Sequence, residues 1–107
     1  MNKIRIDVVH RYDSDTPSVK NLLQGLNGVK LPLDIKVHSL HTGLPGQNKF
    51  ISGIELGITT VKSFVNSINV KLQSDILIIH KSLDGLIDRV SDINLSERLF
   101  LLSENVI

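Results

Sequence analysis

The chain has no cysteine and no tryptophan, and only three phenylalanines, one tyrosine and one methionine among 107 residues. Without cysteine there are no disulfides and no thiolate chemistry, and cysteine usage leaves the redox compartment open. With aromatics at 4% of the chain, the core has to be built from aliphatic side chains. No apolar run approaches the ~18 residues that a membrane-spanning helix needs. The start, MNKIRIDVVHRYD, carries basic residues, but Arg5 and Asp7 interrupt the apolar stretch that a signal peptide would require. The expected location is the cytoplasm, with no membrane contact.

An excess of charge of one sign is also missing. The formal net charge is +1, whereas a dedicated nucleic-acid binder carries a strongly basic domain, so nucleic acid is not an expected partner. The charge is unevenly spread: residues 1–71 hold nine Lys and Arg against five Asp and Glu, while residues 72–107 hold three against six. Scatter over solvated faces explains that asymmetry, and so does a surface matched to a charged partner or a symmetry mate.

What is present belongs to a globular chain. Hydrophobic residues make up 41% and charged residues 21% of the sequence, and 107 residues suit one domain, 1–107, with one core. Residues 4–10, IRIDVVH, are short and rich in β-branched side chains, which predicts a strand. Thr16 before Pro17 has the form of an N-cap followed by a first helical residue. Val19, Leu22, Leu23 and Leu26 continue at helical spacing to a stop at Asn27-Gly28. Residues 33–40 alternate Leu33, Ile35 and Val37 with Asp34, Lys36 and His38, the pattern of an edge strand or of one with a wet face.

After a Gly- and Pro-containing loop, Phe50, Ile54, Ile58, Val61, Val65 and Ile68 recur at steps of three and four, which predicts one long helix carrying Gly53 and Gly57. Each glycine costs such a helix about 1 kcal/mol against alanine, so close helix packing is the expected compensation. Residues 75–80, DILIIH, form a continuous aliphatic run suited to a strand buried on both faces. Ser82 is placed to cap a helix with Leu83, Leu86, Ile87, Val90 and Ile93 on one side, and residues 98–102, RLFLL, read as a last strand.

This order, β-α-β-α-β-α-β, predicts an α/β domain of three layers. A mostly parallel four-stranded sheet in the flavodoxin-like order 2-1-3-4 has helices on both faces, and the second strand lies at an edge.

The four histidines are the informative polar residues. His10 ends the first expected strand, His38 and His41 the second, and His80 the third. Open parallel α/β sheets bind ligands outside the carboxyl ends of their strands, so these residues are expected at one rim. The candidate ligand-binding set is His10, Arg11, Asp13, Thr16, His38, His41, Gly46, Asn48, Lys49, His80 and Ser82. A histidine at a strand end most often satisfies a backbone group, and that reading stands beside the functional one.

Strand alternation points His38 and His41 to opposite faces, so no metal site is assigned. No nucleophile motif accompanies the histidines, and no cofactor is expected. Helix N-termini at Thr16, Asn48 and Ser82, with Arg11, Lys49 and Lys81 nearby, favour a phosphate-bearing small molecule or nucleotide among the chemical options. TGLPGQNK, residues 42–49, is not a phosphate-binding P-loop, because Gly43, Gly46 and Lys49 lack its spacing.

Two functions follow as expectations. The first is a small non-enzymatic binding or regulatory protein acting through a protein partner or as a homodimer, with Tyr12, Leu44, Val106 and Ile107 among the exposed candidates. The alternative is a ligand sensor, phosphocarrier or small enzyme that uses the histidine-lined rim.

Overall fold

A computed structural model describes residues 3–11, 17–43, 47, 49–51, 54–69, 74–89 and 99–102. The β-branched run after Lys3 forms β1 (Ile4–Arg11), buried on both faces at its centre. Pro17 opens α1 (Pro17–Asn27), with Val19 buried and Leu22, Leu23 and Leu26 half-buried along its inner side. The helix closes through bonds from the Gly28 N–H to the Gly25 carbonyl (3.2 Å) and from Val29 to Leu26 (3.1 Å), which take up carbonyls left over at its end. Then come β2 (Leu33–His41), β3 (Lys49–Ile51), β4 (Ile54–Thr60), α2 (Val61–Asn69), β5 (Ile76–His80), a 3-10 helix (Lys81–Arg89) and β6 (Leu99–Leu102).

The six strands form one sheet in the order β3-β4-β2-β1-β5-β6. Only β3 and β4 pair antiparallel, so β4-β2-β1-β5-β6 is a five-stranded parallel sheet. From β1 the chain winds outward through α1 to β2 and β4, then crosses by α2 to β5 and outward again to β6. The direction of winding reverses between β1 and β5.

Strand alternation separates two apolar clusters. Ile6, Val8, Val37 and Ile54 pack with Val19 of α1. Val9, Leu40, Leu77 and Ile79, on the opposite face, pack with Phe64, Val65 and Ile68 of α2 and Leu83 and Leu86 of the 3-10 helix. The helices therefore cover both faces, as the aliphatic pattern implied.

The sheet corrects the sequence reading in three places. The four expected strands stand as β2, β1, β5 and β6, but β3 and β4 extend the sheet beyond β2, so it is not four-stranded and its order is not flavodoxin-like. Consequently β2 is interior, paired to β1 on one side and β4 on the other. Two of its polar residues are paired within the sheet: Lys36 reaches Glu55 across the ladder (3.6 Å) and His38 reaches Asp7 (2.7 Å).

The long helix expected over 50–68 is instead β3, β4 and the shorter α2. A step of four fits a strand's period of two as well as a helical turn, so Ile54 and Ile58 of β4 satisfy both templates, while Phe50 belongs to β3, in register with Glu55. The steps that lie in a helix are Val61 to Val65 and Val65 to Ile68, both within α2, whereas the step of three from Ile58 to Val61 crosses from β4 into it. Thr60 marks the switch by capping α2, its Oγ1 accepting from the Ser63 N–H at 3.2 Å. Gly57 is thus a buried strand residue in register with His38, and Gly53 lies outside the described residues.

The third correction is Ser82, which sits inside a 3-10 helix interrupted at Leu83 (φ −109°, ψ 18°) rather than capping an α-helix. Val90 and Ile93, expected on that helix, lie outside the described residues.

Candidate functional site

The reversal of winding places the carboxyl ends of β1 and β5 side by side, and this is where an open parallel sheet leaves a crevice. Val9 is in register with Ile79, so one residue further on His10 and His80 are neighbours. Both are on the face covered by α1. Ser39 of β2 is in register with His10, and its hydroxyl lies 2.7 Å from His10 Nε2. His80 Nδ1 accepts the Ser82 backbone N–H at 3.2 Å, with the Ser82 hydroxyl at 2.6 Å. A backbone N–H can only donate, so the neutral His80 ring carries its proton on Nε2.

Burial pushes the His10 ring below its ordinary value of 6.5. A backbone hydrogen bond with Arg11 acts the other way, and the charge of His80 adds to the lowering. A folded-state value below the unfolded one means that the unfolded chain binds the proton first as pH falls. The contribution of His10 is therefore full above the ordinary value of 6.5 and declines as pH drops below it, down through the folded value. Chemical denaturation between pH 8 and pH 5 is expected to show stability decreasing toward acid, with a shallower decrease in His10→Gln. Equal slopes in the two proteins would refute this assignment.

His38 is not at the rim. Its side chain lies on the opposite face, where Nε2 donates to Asp7 Oδ1 at 2.7 Å and the ring packs against Phe64 with centroids 5.0 Å apart. Asp7 is 0% exposed, and its Oδ2 also accepts from Arg5 Nε at 3.3 Å. Burial raises the Asp7 carboxyl, but the bond and charge of His38, with the charge and bond of Arg5, outweigh it and hold the group below its ordinary value. An aspartate holding a histidine ring is half of a catalytic relay, but this ring is buried under Phe64, and a general base has to reach a substrate.

Sequence reasoning missed Asp7, Arg5 and Ser39. The available signal was a carboxylate inside the apolar strand IRIDVV, which demands a buried partner.

On the α2 side of the same rim, Arg11, Leu40, His41, Thr42, Val61 and Leu83 line a cleft of about 160 Å³. Arg11 Nη2 stands 3.5 Å from the Ser82 carbonyl. Strand alternation sends His10 and His80, with Ser82, to the α1 face and Arg11 to the other, while His41 borders the cleft from the last position of β2. Lys49 lies in β3 at the far edge of the sheet, so no helix begins there as the phosphate reading required. Asp13, Thr16, Gly46 and Asn48 lie outside the described residues, as do Tyr12, Leu44, Val106 and Ile107. Among the described residues, no group of three His, Asp or Glu is placed to hold a metal ion. No helix among them is long and apolar enough to cross a membrane.

No protein-family model matches the chain, and no curated protein and no solved structure does either. The class that the topology defines is an α/β domain wound in both directions from β1.

Proposed function

We propose that this protein is a non-enzymatic binding or regulatory module that works through contact with another polypeptide at the edge strand β6. The observation that carries this reading is the exposure of two large apolar side chains on a four-residue edge: Phe100 is 58% exposed and Leu101 49%. Successive strand residues point to opposite faces, so both sides of the edge are apolar. β6 itself, LFLL, contains no charge and no proline, the residues with which edge strands are ordinarily protected from pairing. The opposite edge, β3, begins with Lys49. A protein contact is the use that such an edge serves, and main-chain hydrogen bonds from an added strand would supply the affinity.

The histidine pairings favour the same reading over chemistry at the rim. His10 is bonded to Ser39, His80 to Ser82 and His38 to Asp7. Those bonds tie strand ends and neighbouring strands together. The cleft beside Arg11 supports the second reading, a sensor of a small phosphorylated molecule.

The test is a photo-cross-linking amino acid placed at Leu101 in the cell of origin, with the exposed α2 residue Asn66 as control. A discrete adduct at position 101 and none at 66 is the expected result. Absence of any adduct at 101 removes the reading. A rise in melting temperature with inorganic phosphate that is lost in Arg11→Gln would then move the assignment to the cleft.

A further inference from the structure

The cleft on the α2 side of the rim is selective in size, and this step rests on the second reading above, that it takes a phosphorylated molecule. We infer that its ligand is a phosphate monoester with a compact apolar body, about the size of one benzene ring, and that nucleotides are excluded.

Three observations lead to that class. The first is charge. Arg11 lines the cleft, Lys62 directly follows the lining residue Val61, and Lys81 stands two residues before the lining residue Leu83. Both lysines are exposed. Among the described residues, none of these three cations pairs with a carboxylate. Positive charge gathered in this way draws an anion, and it suits a doubly charged head better than a singly charged one.

The second is the hold on the guanidinium. Arg11 Nη2 stands 3.5 Å from the Ser82 carbonyl, at the outer limit of a hydrogen bond, so little is lost when that contact is given up. The planar fork of donors on an arginine pairs with two phosphate oxygens at once. Thr42, also in the lining, adds a hydroxyl that can donate to the third.

The third is the shape of what remains. Leu40, Val61 and Leu83 give the cleft an apolar wall, and Leu40 and Leu83 are buried members of the α2-side core, which fixes that wall in place. The space measures about 160 Å³. An apolar cavity of about 150 Å³ holds one benzene molecule, whereas drug-sized ligands occupy about 300 Å³ or more. A phosphate ester of a single ring or a short branched chain fits, and a purine with its ribose does not.

Calorimetric titration of the chain separates head from body. Phenyl phosphate is expected to bind on the order of tenfold more tightly than inorganic phosphate, because its ring leaves water for the apolar wall. AMP carries the same head on a larger body and should bind no more tightly than inorganic phosphate. Benzoate carries the same ring on a single charge and should bind less tightly than phenyl phosphate. Arg11→Gln should weaken both phosphates alike. Val61→Phe fills the cleft with a ring of its own, and it should erase the advantage of phenyl phosphate while inorganic phosphate still binds.

Inorganic phosphate bound through Arg11 with no gain for phenyl phosphate, or with AMP the tighter ligand, overturns the inference and keeps the phosphate reading of the cleft. Benzoate bound more tightly than phenyl phosphate makes the head a carboxylate and overturns it as well. So does a gain for phenyl phosphate that survives Val61→Phe, since the ring then sits outside the cleft. Binding of neither phosphate removes the inference and the phosphate reading together.

Discussion

Replacing Asp7 with alanine is expected to cost about 3–5 kcal/mol at neutral pH, a large share of the 5–15 kcal/mol by which domains of this size are stable. The carboxylate is fully buried, and the 2.7 Å bond from His38 Nε2 is its shorter contact. The Arg5 contact is longer, at 3.3 Å, and its guanidinium end is partly in solvent, so screening leaves it the smaller share. Removing the carboxylate strands the buried His38 donor, and it is the stranded group rather than the lost attraction that dominates such losses.

The double variant Asp7→Val/His38→Leu, with neither polar partner present, is accordingly expected to be more stable than Asp7→Ala. Urea unfolding of the two variants checks this. An Asp7→Ala loss under 1 kcal/mol, or a double variant no better than the single, would mean that the pair is not satisfied in the way described.

The same pair sets an acid limit. The folded value of Asp7 lies below the ordinary 3.8, so as pH falls the unfolded chain takes up the proton first. Its contribution is full above pH 3.8 and is lost as pH drops from there through the folded value, a slope that Asp7→Asn should lack.

The sheet's parallel core was readable because its strands carry a signal that helices do not mimic. IRIDVVH and DILIIH are too short and too densely β-branched for anything else, and α1 announces itself with Thr16-Pro17 and a stop at Asn27-Gly28. The region after residue 49 was misread because its apolar spacing of four serves both periods. Nothing in composition says that Gly57 is a strand residue facing His38.

The rim was readable only as a line of strand ends. Alternation then divides it, sending His10 and His80 to one face, Arg11 to the other, and His38 to a buried carboxylate two strand positions below the rim. Asp7 could be suspected as a charge in an apolar strand, but its partner sits 31 residues away and becomes visible only when β1 and β2 are in register.

Two phenylalanines separate what holds the fold from what the fold presents. Phe64 on α2 is buried among Val9, Leu40, Leu77 and Ile79, with its ring on His38. Phe64→Ala deletes most of a large side chain from a close-packed site and leaves a cavity that a sheet on one side cannot collapse to fill. The expected loss is about 3–5 kcal/mol, a fall in melting temperature on the order of 20 °C for a domain of this size. Because the ring also covers His38, the variant should expose the Asp7 pair and soften the acid limit described for it.

Phe100 is as large but lies mostly in solvent on β6. Phe100→Ala is expected to leave the melting temperature of the isolated chain nearly unchanged, within about 0.5 kcal/mol, while weakening association at the edge. Melting and the photo-cross-link at position 101 together decide the matter. Phe64→Ala should lower the melting temperature, whereas Phe100→Ala should leave it in place and weaken the adduct formed at position 101. If Phe100→Ala instead falls with Phe64→Ala, β6 is a structural strand of the monomer and the contact must be sought on another face.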